Sequence, residues 1–238
     1  MYWETPLERA RPPYLDLCLR TVDRWKGDLR LHHLDESTIH DFLPDLRPEV
    51  DRLSLNHKSD YYRSRLVHRY GGLWLDADVV ALRPLDELFD GLAEHRIALY
   101  GKQPADLSAN CFIGMAGDPV LEQWMTLQDR TLDTHQTIPW NGLGKDPLVI
   151  AATGVHYQRL AANRIAPLHW QHWRRLRSKW RPLRPYLKAD PVLFMLYNHF
   201  LHDAFGDMTQ SDLMHSNMLI SRLFRHALEP DLSNERPI

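Results

Sequence analysis

Tyr70-Gly71-Gly72-Leu73-Trp74-Leu75-Asp76-Ala77-Asp78 joins a helix end, a strand and a pair of acids in one short run. The residues before it, Ser59 to Tyr70, have helical spacing, and Gly71-Gly72 is the glycine stop expected just past a helix. Leu73-Trp74-Leu75 is an apolar run of the kind that forms a buried strand. It ends abruptly at the acids. Asp76 and Asp78 are two apart, so in extended backbone both carboxylates point one way and Ala77 the other. Such a pair after a buried strand is costly unless something compensates it. Two carboxylates at a strand end suit a hard divalent cation, Mg2+ or Mn2+, an ion that often also holds substrate phosphates. Taken alone, Asp-Ala-Asp simply opens a turn.

Upstream, Asp60 and Arg63 are three apart on Ser59-Asp60-Tyr61-Tyr62-Arg63, hence on one helix face. The pair is a surface salt bridge, or Asp60 complements the helix dipole, or the two together hold adjacent hydroxyls or a hydroxyl and a phosphate. Further back, Leu15, Cys18, Leu19, Val22 and Trp25 follow Pro12-Pro13 at helical spacing, and Gly27 ends the run. Leu29 to Leu34 alternates apolar and polar like a short strand. Residues 35–55 have the look of short helical pieces punctuated by Pro44 and Pro48. Downstream, Ile97-Ala98-Leu99-Tyr100 and Cys111-Phe112-Ile113-Gly114-Met115 are expected strands, and Pro119 to Gln128 an expected helix. Alternating helices and short apolar strands predict an α/β fold with a mostly parallel sheet. In such sheets sites lie beyond the carboxyl ends of the strands, where Asp76 and Asp78 would sit.

Composition narrows the classes. The 238 residues make one sizeable domain, and 44% hydrophobic with 25% charged residues excludes a disordered, collagenous or coiled-coil chain. Against 31 acids stand 29 bases, a net charge of -2 that argues against life on nucleic acid. No stretch approaches the roughly 20 apolar residues of a spanning helix. The opening Met1-Tyr2-Trp3-Glu4-Thr5 has no basic and apolar pattern of a signal peptide. Cys18 and Cys111 are expected as reduced core thiols of a cytoplasmic protein, and their spacing offers no metal site.

His57-Lys58-Ser59-Asp60-Tyr61-Tyr62-Arg63 followed by Tyr70 to Asp78 resembles the signature of the DXD-containing sugar transferases, glycosyltransferase family 32 relatives. Within that group the chain is most similar to the capsular polysaccharide synthesis proteins, whose opening Tyr2-Trp3-Glu4 and Cys18-Leu19-Arg20 resemble. The resemblance runs over residues 2–90, weakens from Ser108 to Trp124 and then fades. It implies a GT-A fold, Rossmann-like, as a single domain over 1–238. The donor and metal would be held by 1–125, with the acceptor side in 126–238. It also implies a UDP- or GDP-linked sugar donor, a divalent metal, Mn2+ or Mg2+, and retention of anomeric configuration. Carried over by position, Asp78 would ligate the metal, and Asp76 would contact the donor ribose or reach the metal through water. Asp60 and Arg63 would hold the donor sugar's hydroxyls. Trp74 sits where the family places an aromatic near the nucleotide, or is a buried strand tryptophan. Trp3 would stack on the base, or is a terminal aromatic. Asn110 resembles a residue lining the donor pocket, and equally a turn residue. His215 occupies a late position where relatives sometimes supply a third metal ligand. Thr153-Gly154 is similar to a family Thr-Gly-Pro, with Val155 in place of the proline. The family's first strand normally precedes the segment matching Tyr2-Trp3-Glu4, so either that edge is shortened or the true start lies upstream of Met1.

No acid at a suitable spacing offers itself as covalent nucleophile or general base. A front-face transfer, with the departing phosphate helping to deprotonate the acceptor, is therefore expected. Residues 169–188 carry Arg174, Arg175, Arg177, Lys179, Arg181, Arg184 and Lys188, with Trp170, Trp173 and Trp180 and no acid. They form a solvated basic face, or dock on an anionic bilayer at the inner face of the membrane, as an enzyme with a lipid-linked acceptor would need. The function expected is hexose transfer from the nucleotide sugar to a saccharide or lipid-linked acceptor in cell-surface polysaccharide or glycolipid synthesis. The alternative is a non-catalytic GT-A-like module that binds membrane or partner through the basic stretch.

Overall fold

Proline in the first turn and buried Leu15, Cys18 and Val22 on one side define the first long helix, which Gly27 leaves in the left-handed region (φ 57). The computed structural model describes residues 1–5, 11–101 and 104–229. In chain order its helices are α1 (Pro13–Trp25), α2 (Ile39–Phe42), α3 (Leu55–Tyr70), α4 (Pro119–Thr134), α5 (Lys145–Ala151), α6 (Ala162–Ile165), α7 (Arg184–Leu187), α8 (Asn198–Phe205), α9 (Gln210–His215) and α10 (Leu219–Leu228). The strands are β1 (Gly72–Leu75), β2 (Val79–Ala81), β3 (Ile97–Gly101), β4 (Leu107–Gly114), β5 (Gln158–Leu160) and β6 (Leu193–Met195). Up to the start of α3 at Leu55, residues 35–54 hold only α2 and a 3-10 turn at Pro48–Arg52 as helical pieces, broken by their prolines.

These elements group into two compact units, each assembled from three separate segments. The first comprises Met1–Glu4, His32–Asp76 and Phe89–Ala161. It carries a four-stranded sheet in the order β1-β4-β3-β5. Helix α3 starts earlier than its periodicity suggests, because the Ser54 side chain accepts from the His57 backbone N–H and caps it. It stops at Gly71 and Gly72 (φ 70 and 104), a backbone that side chains rarely adopt. Asp118 caps α4 by accepting from the N–H groups of Val120 and Leu121. Tyr61, Leu66, Trp74, Leu99, Phe112 and Trp124 meet in the core.

The expected mostly parallel sheet is mixed. Strand β4 runs antiparallel to both β1 and β3, and β3 is parallel only to β5. The link between β3 and β4, residues 102–106, is far shorter than the dozen or so residues of a parallel crossover. A buried strand is apolar throughout whatever its direction, so its apolar run carried no information on sense. The expected strand Leu29–Leu34 is also reduced: among the described residues of that run only Leu34 pairs, in an isolated parallel bridge to Tyr2. Alternation sets where side chains point, but a strand needs a neighbour to bond.

The second unit comprises the described residues of Thr5–Leu31, Ala77–Leu88 and Ala162–Ile238. Strands β2 and β6 pair antiparallel, Val79 opposite Met195 and Ala81 opposite Leu193. Helix α1 lies against β2 and α10, and the Ala81 N–H donates to the buried Thr21 hydroxyl. Val79, Val80, Phe194, Phe205, Leu223 and Phe224 are fully buried here. The units therefore do not divide at residue 125. Strands β3, β4 and β5 with α4 and α5 pack as one body that continues to Ala161, whereas Ala77–Leu88 pairs with the C-terminal segments.

Candidate active site

Asp76 closes a segment of the first unit, and Asp78 lies in the second. In the first unit, α3 places Asp60 and Arg63 one turn apart, and β1 delivers Trp74 and then Asp76. The Asp76 N–H donates to the Asn110 carbonyl (3.0 Å), extending the register of β1 with β4 to the acid itself. Trp74 and Asp76 are two apart in extended chain, hence on one side. The Trp74 Nε1–H accordingly donates to Asp76 Oδ1 (2.8 Å). One nitrogen of Arg63, Nη2, lies 3.1 Å from Asp60 Oδ1 and 3.2 Å from Asp76 Oδ1. The same guanidinium donates to the Ser59 hydroxyl and carbonyl, and its Cζ sits 5.5 Å from the centre of the Trp74 ring. Arg63 is thus fixed by its own helix and by the strand opposite.

Two acids and one guanidinium meet in a poorly solvated place, with the buried Met1 amino group also acting on Asp76. Burial pushes Asp60 up to about 7, with Arg63 pulling it down and Asp76 pushing it further up. Burial raises Asp76 as well, opposed by Arg63, by the Trp74 hydrogen bond and by the Met1 amino group. Exposure separates the two: the Asp76 side chain is 25% exposed and that of Asp60 8%. Near neutrality Asp60 can donate a hydrogen bond when protonated and accept one when ionised. A ring of hydroxyls offers both partners.

Asp60 is held from behind by residues the sequence did not single out. Buried Gln128 donates to the Asp60 carbonyl (2.8 Å) and the Leu143 carbonyl (2.7 Å), and accepts from Ser64 and Arg65. It ties α3 to the loop containing Gly144. A Cβ at Gly144 would lie 2.6 Å from Asp60 Oδ2, so only glycine lets the loop approach the carboxylate this closely. The glycine pair in Asn141-Gly142-Leu143-Gly144 was the available signal.

In the second unit, Asp78 directly precedes β2. Its carbonyl accepts from Leu196 N–H (3.0 Å), and its Oδ2 accepts from the Asn198 N–H, the first of α8. Tyr197 precedes that N–H at φ 64, in the left-handed region uncommon for a bulky residue. The Tyr14 hydroxyl donates to the Asn198 side-chain oxygen. Burial, and then the Asp78 charge, push the Tyr14 phenol and the Cys18 thiol up, so both stay neutral. Asp78 thus caps a helix as well as closing the acidic pair.

The remaining candidates lie in varied settings. Trp74 is buried, and its indole holds Asp76. Trp3 is half-buried and donates its backbone N–H to Leu34. Asn110 accepts through Oδ1 from Tyr100 and Ser108, so it braces the strand that receives Asp76. His215 is exposed at the end of α9, with Nδ1 2.9 Å from the Ser211 carbonyl. Thr153-Gly154-Val155 turns at Gly154 (φ 76) in the first unit. Among the described residues no group of three or more His, Cys, Asp or Glu could hold a metal ion. The carboxylates of Asp76 and Asp78 are each hard oxygen donors of the kind Mg2+ or Mn2+ takes, an ion that water and substrate phosphate oxygens would have to complete. No helix among the described residues is long and apolar enough to cross a membrane.

The family model for capsular polysaccharide synthesis proteins matches residues 1–116, the part that contains Asp60, Arg63, Asp76 and Asp78. No curated protein matches the chain significantly. Among solved structures, the PaToxG glycosyltransferase superposes with a TM-score of 0.51 at 14% identity, covering 96% of this chain and 84% of that one. At that identity the likeness establishes the fold, which is that of a glycosyltransferase.

Proposed function

We propose, for a chain that carries the glycosyltransferase fold and whose residues 1–116 match the capsular polysaccharide synthesis proteins, that it is a metal-dependent, retaining hexosyltransferase. It would move a hexose from a UDP- or GDP-linked donor to a saccharide or lipid-linked acceptor in cell-surface polysaccharide or glycolipid synthesis. The observation that carries this reading is Arg63, with one nitrogen shared by Asp60 and Asp76 beside the Trp74 indole. That arrangement presents a cation and two acids of different exposure at the end of β1. It suits hydroxyls and a phosphate gripped side by side.

Asp60 and Arg63 hold the donor sugar's hydroxyls and fix its orientation. Asp76, oriented by Trp74 and Arg63, would take the donor ribose or reach the cation through water, and Asp78 would be the carboxylate that ligates the cation. A divalent cation held there would supply charge neutralisation on the leaving diphosphate. Asn110 braces the Asp76 backbone, Trp3 is the candidate stacking partner for the base, and His215 is a candidate third ligand. The sequence offers no paired acid at a suitable spacing as covalent nucleophile or general base, so the acceptor proton would pass to the departing phosphate in a front-face transfer. Peripheral contact with an anionic membrane through residues 169–188 belongs to the acceptor side of this reading.

The test is Mn2+-dependent hydrolysis of a panel of UDP- and GDP-sugars in solution. Turnover of at least one donor, lost on chelation and in Asp78→Asn, is expected. Asp78→Asn keeps an acceptor for the Asn198 N–H and should cost under about 1 kcal/mol of stability. Wild-type rates in that variant would reject the metal assignment, and no turnover with no nucleotide binding would reject the transferase.

A further inference from the structure

Residues 170–177 form consecutive 3-10 turns, in which positions three apart align. Trp170, Trp173 and Leu176 therefore share one edge, and Arg174 and Arg177 another. Leu176 is buried, and both indoles stack on Phe200 of α8 with centroids 5.9 Å apart and planes within 8° and 12°. Arg174 lies 5.0 Å from the centre of the Trp173 ring. This edge is anchored, and its cations face solvent.

Trp180 differs: it is 92% exposed, the most exposed large apolar side chain among the described residues. Its loop is nonetheless tightly braced. The Ser178 hydroxyl accepts from the N–H groups of Trp180 and Arg181 (3.3 and 3.2 Å). The Ser178 carbonyl accepts from Leu219 at the start of α10 (2.8 Å). Arg222 of α10 donates to the carbonyls of Lys179 (3.2 Å) and Arg181. Backbone on both sides of the indole is thus fixed to a helix, while the ring stands in water between two exposed cations. Holding a large aromatic ring in solvent gains nothing for folding, whereas an indole flanked by exposed cations matches the amphipathic, negatively charged headgroup layer of a bilayer. Between His169 and Lys188 the chain has no acid.

We propose that the Ser178–Arg181 loop docks the protein on an anionic lipid bilayer, with Trp180 at the headgroup level and Lys179, Arg181, Arg174 and Arg177 on lipid phosphates. Indoles favour that depth because one part of the ring is apolar and the N–H is wet. Cations beside it gain from the negative surface potential. The contact is peripheral and reversible. It deepens the acceptor side of the proposed function, and its test is separable from donor chemistry because none of these residues belongs to the donor site.

The experiment is co-sedimentation of the full chain with phosphatidylcholine vesicles, with and without phosphatidylglycerol, at low and high salt. Binding is expected only with phosphatidylglycerol and should weaken with salt. Lys179→Ala and Arg181→Ala should each lower the partition coefficient about fivefold. Trp180→Ala should abolish the fraction that survives high salt, while its melting temperature and its nucleotide-sugar hydrolysis in solution stay at wild-type values. Absence of wild-type binding to phosphatidylglycerol vesicles overturns the proposal, as does undiminished binding by Trp180→Ala. Retention by dextran sulfate without vesicle binding overturns it in favour of an anionic saccharide site. Failure of donor hydrolysis alongside intact vesicle binding would reject the transferase and leave the docking surface standing.

Discussion

Arg63 Nη2 lies within ion-pair distance of both Asp60 and Asp76, so its removal strands two acids where water reaches poorly. Arg63→Met should lower stability by about 3 kcal/mol in urea unfolding above neutral pH, the usual cost of an uncompensated buried charge. The loss should shrink in acid, where both carboxylates take up protons. Asp60 has its own signature. Its folded value, about 7, stands above the unpaired 3.8, so the native state holds a proton that the unfolded chain has released. The stability contributed by that proton is fully present below about pH 4 and lost as pH rises through about 7. Asp60→Asn stays neutral throughout. Its urea midpoint should vary less across that window and exceed the wild type's above it. A variant curve parallel to the wild type's would exclude Asp60 as the titrating group. At this scale the sequence showed the three-residue spacing of Asp60 and Arg63 and the two-residue spacing of the acids. It did not show that one guanidinium serves both, because that depends on how closely β1 lies to α3.

Helix α4 shows what an element adds to its residues. Pro119 to Gln128 was legible from apolar spacing, and the helix runs on to Thr134. Gln128 has no apolar signature, yet it is buried and every side-chain partner it has is inside the protein. Gln128→Leu should cost about 3 kcal/mol in a denaturant melt, since several buried partners lose a bond at once. It should also weaken donor binding by freeing the Gly144 loop behind Asp60. A melt unchanged by that substitution would show that the network does not hold α3 to the loop. Strand direction escaped the sequence for a related reason. Burial determines the composition of Leu73-Trp74-Leu75, and pairing partners determine its sense. The short strand β2 was missed because Val79 to Ala81 is too brief for any period to register.

For the whole molecule, the donor site should report itself as ligand-linked stability. A nucleotide sugar with Mn2+ at about a hundred times its dissociation constant stabilises by about 2.7 kcal/mol. For a chain of this size that is a rise of roughly 5–10 °C in melting temperature, read by scanning fluorimetry across UDP- and GDP-sugars. No shift with any of them would argue against a donor site. The interleaving of segments explains which parts were readable. Local instructions survive in sequence: the proline and glycine limits of α1, the glycine stop after α3, the buried run and the acids that end it. They suffice for the helices around the site, for the α/β class and for the candidate acids, because each depends on neighbours within a few turns of chain. Only tertiary structure decided that Arg63 is shared by Asp60 and Asp76, that Gly144 closes on Asp60, that Asp78 caps α8, and that Trp180 is held out in solvent. Each of those contacts joins residues whose pairing is set by long-range packing, and local periodicity carries no record of which distant surface will arrive.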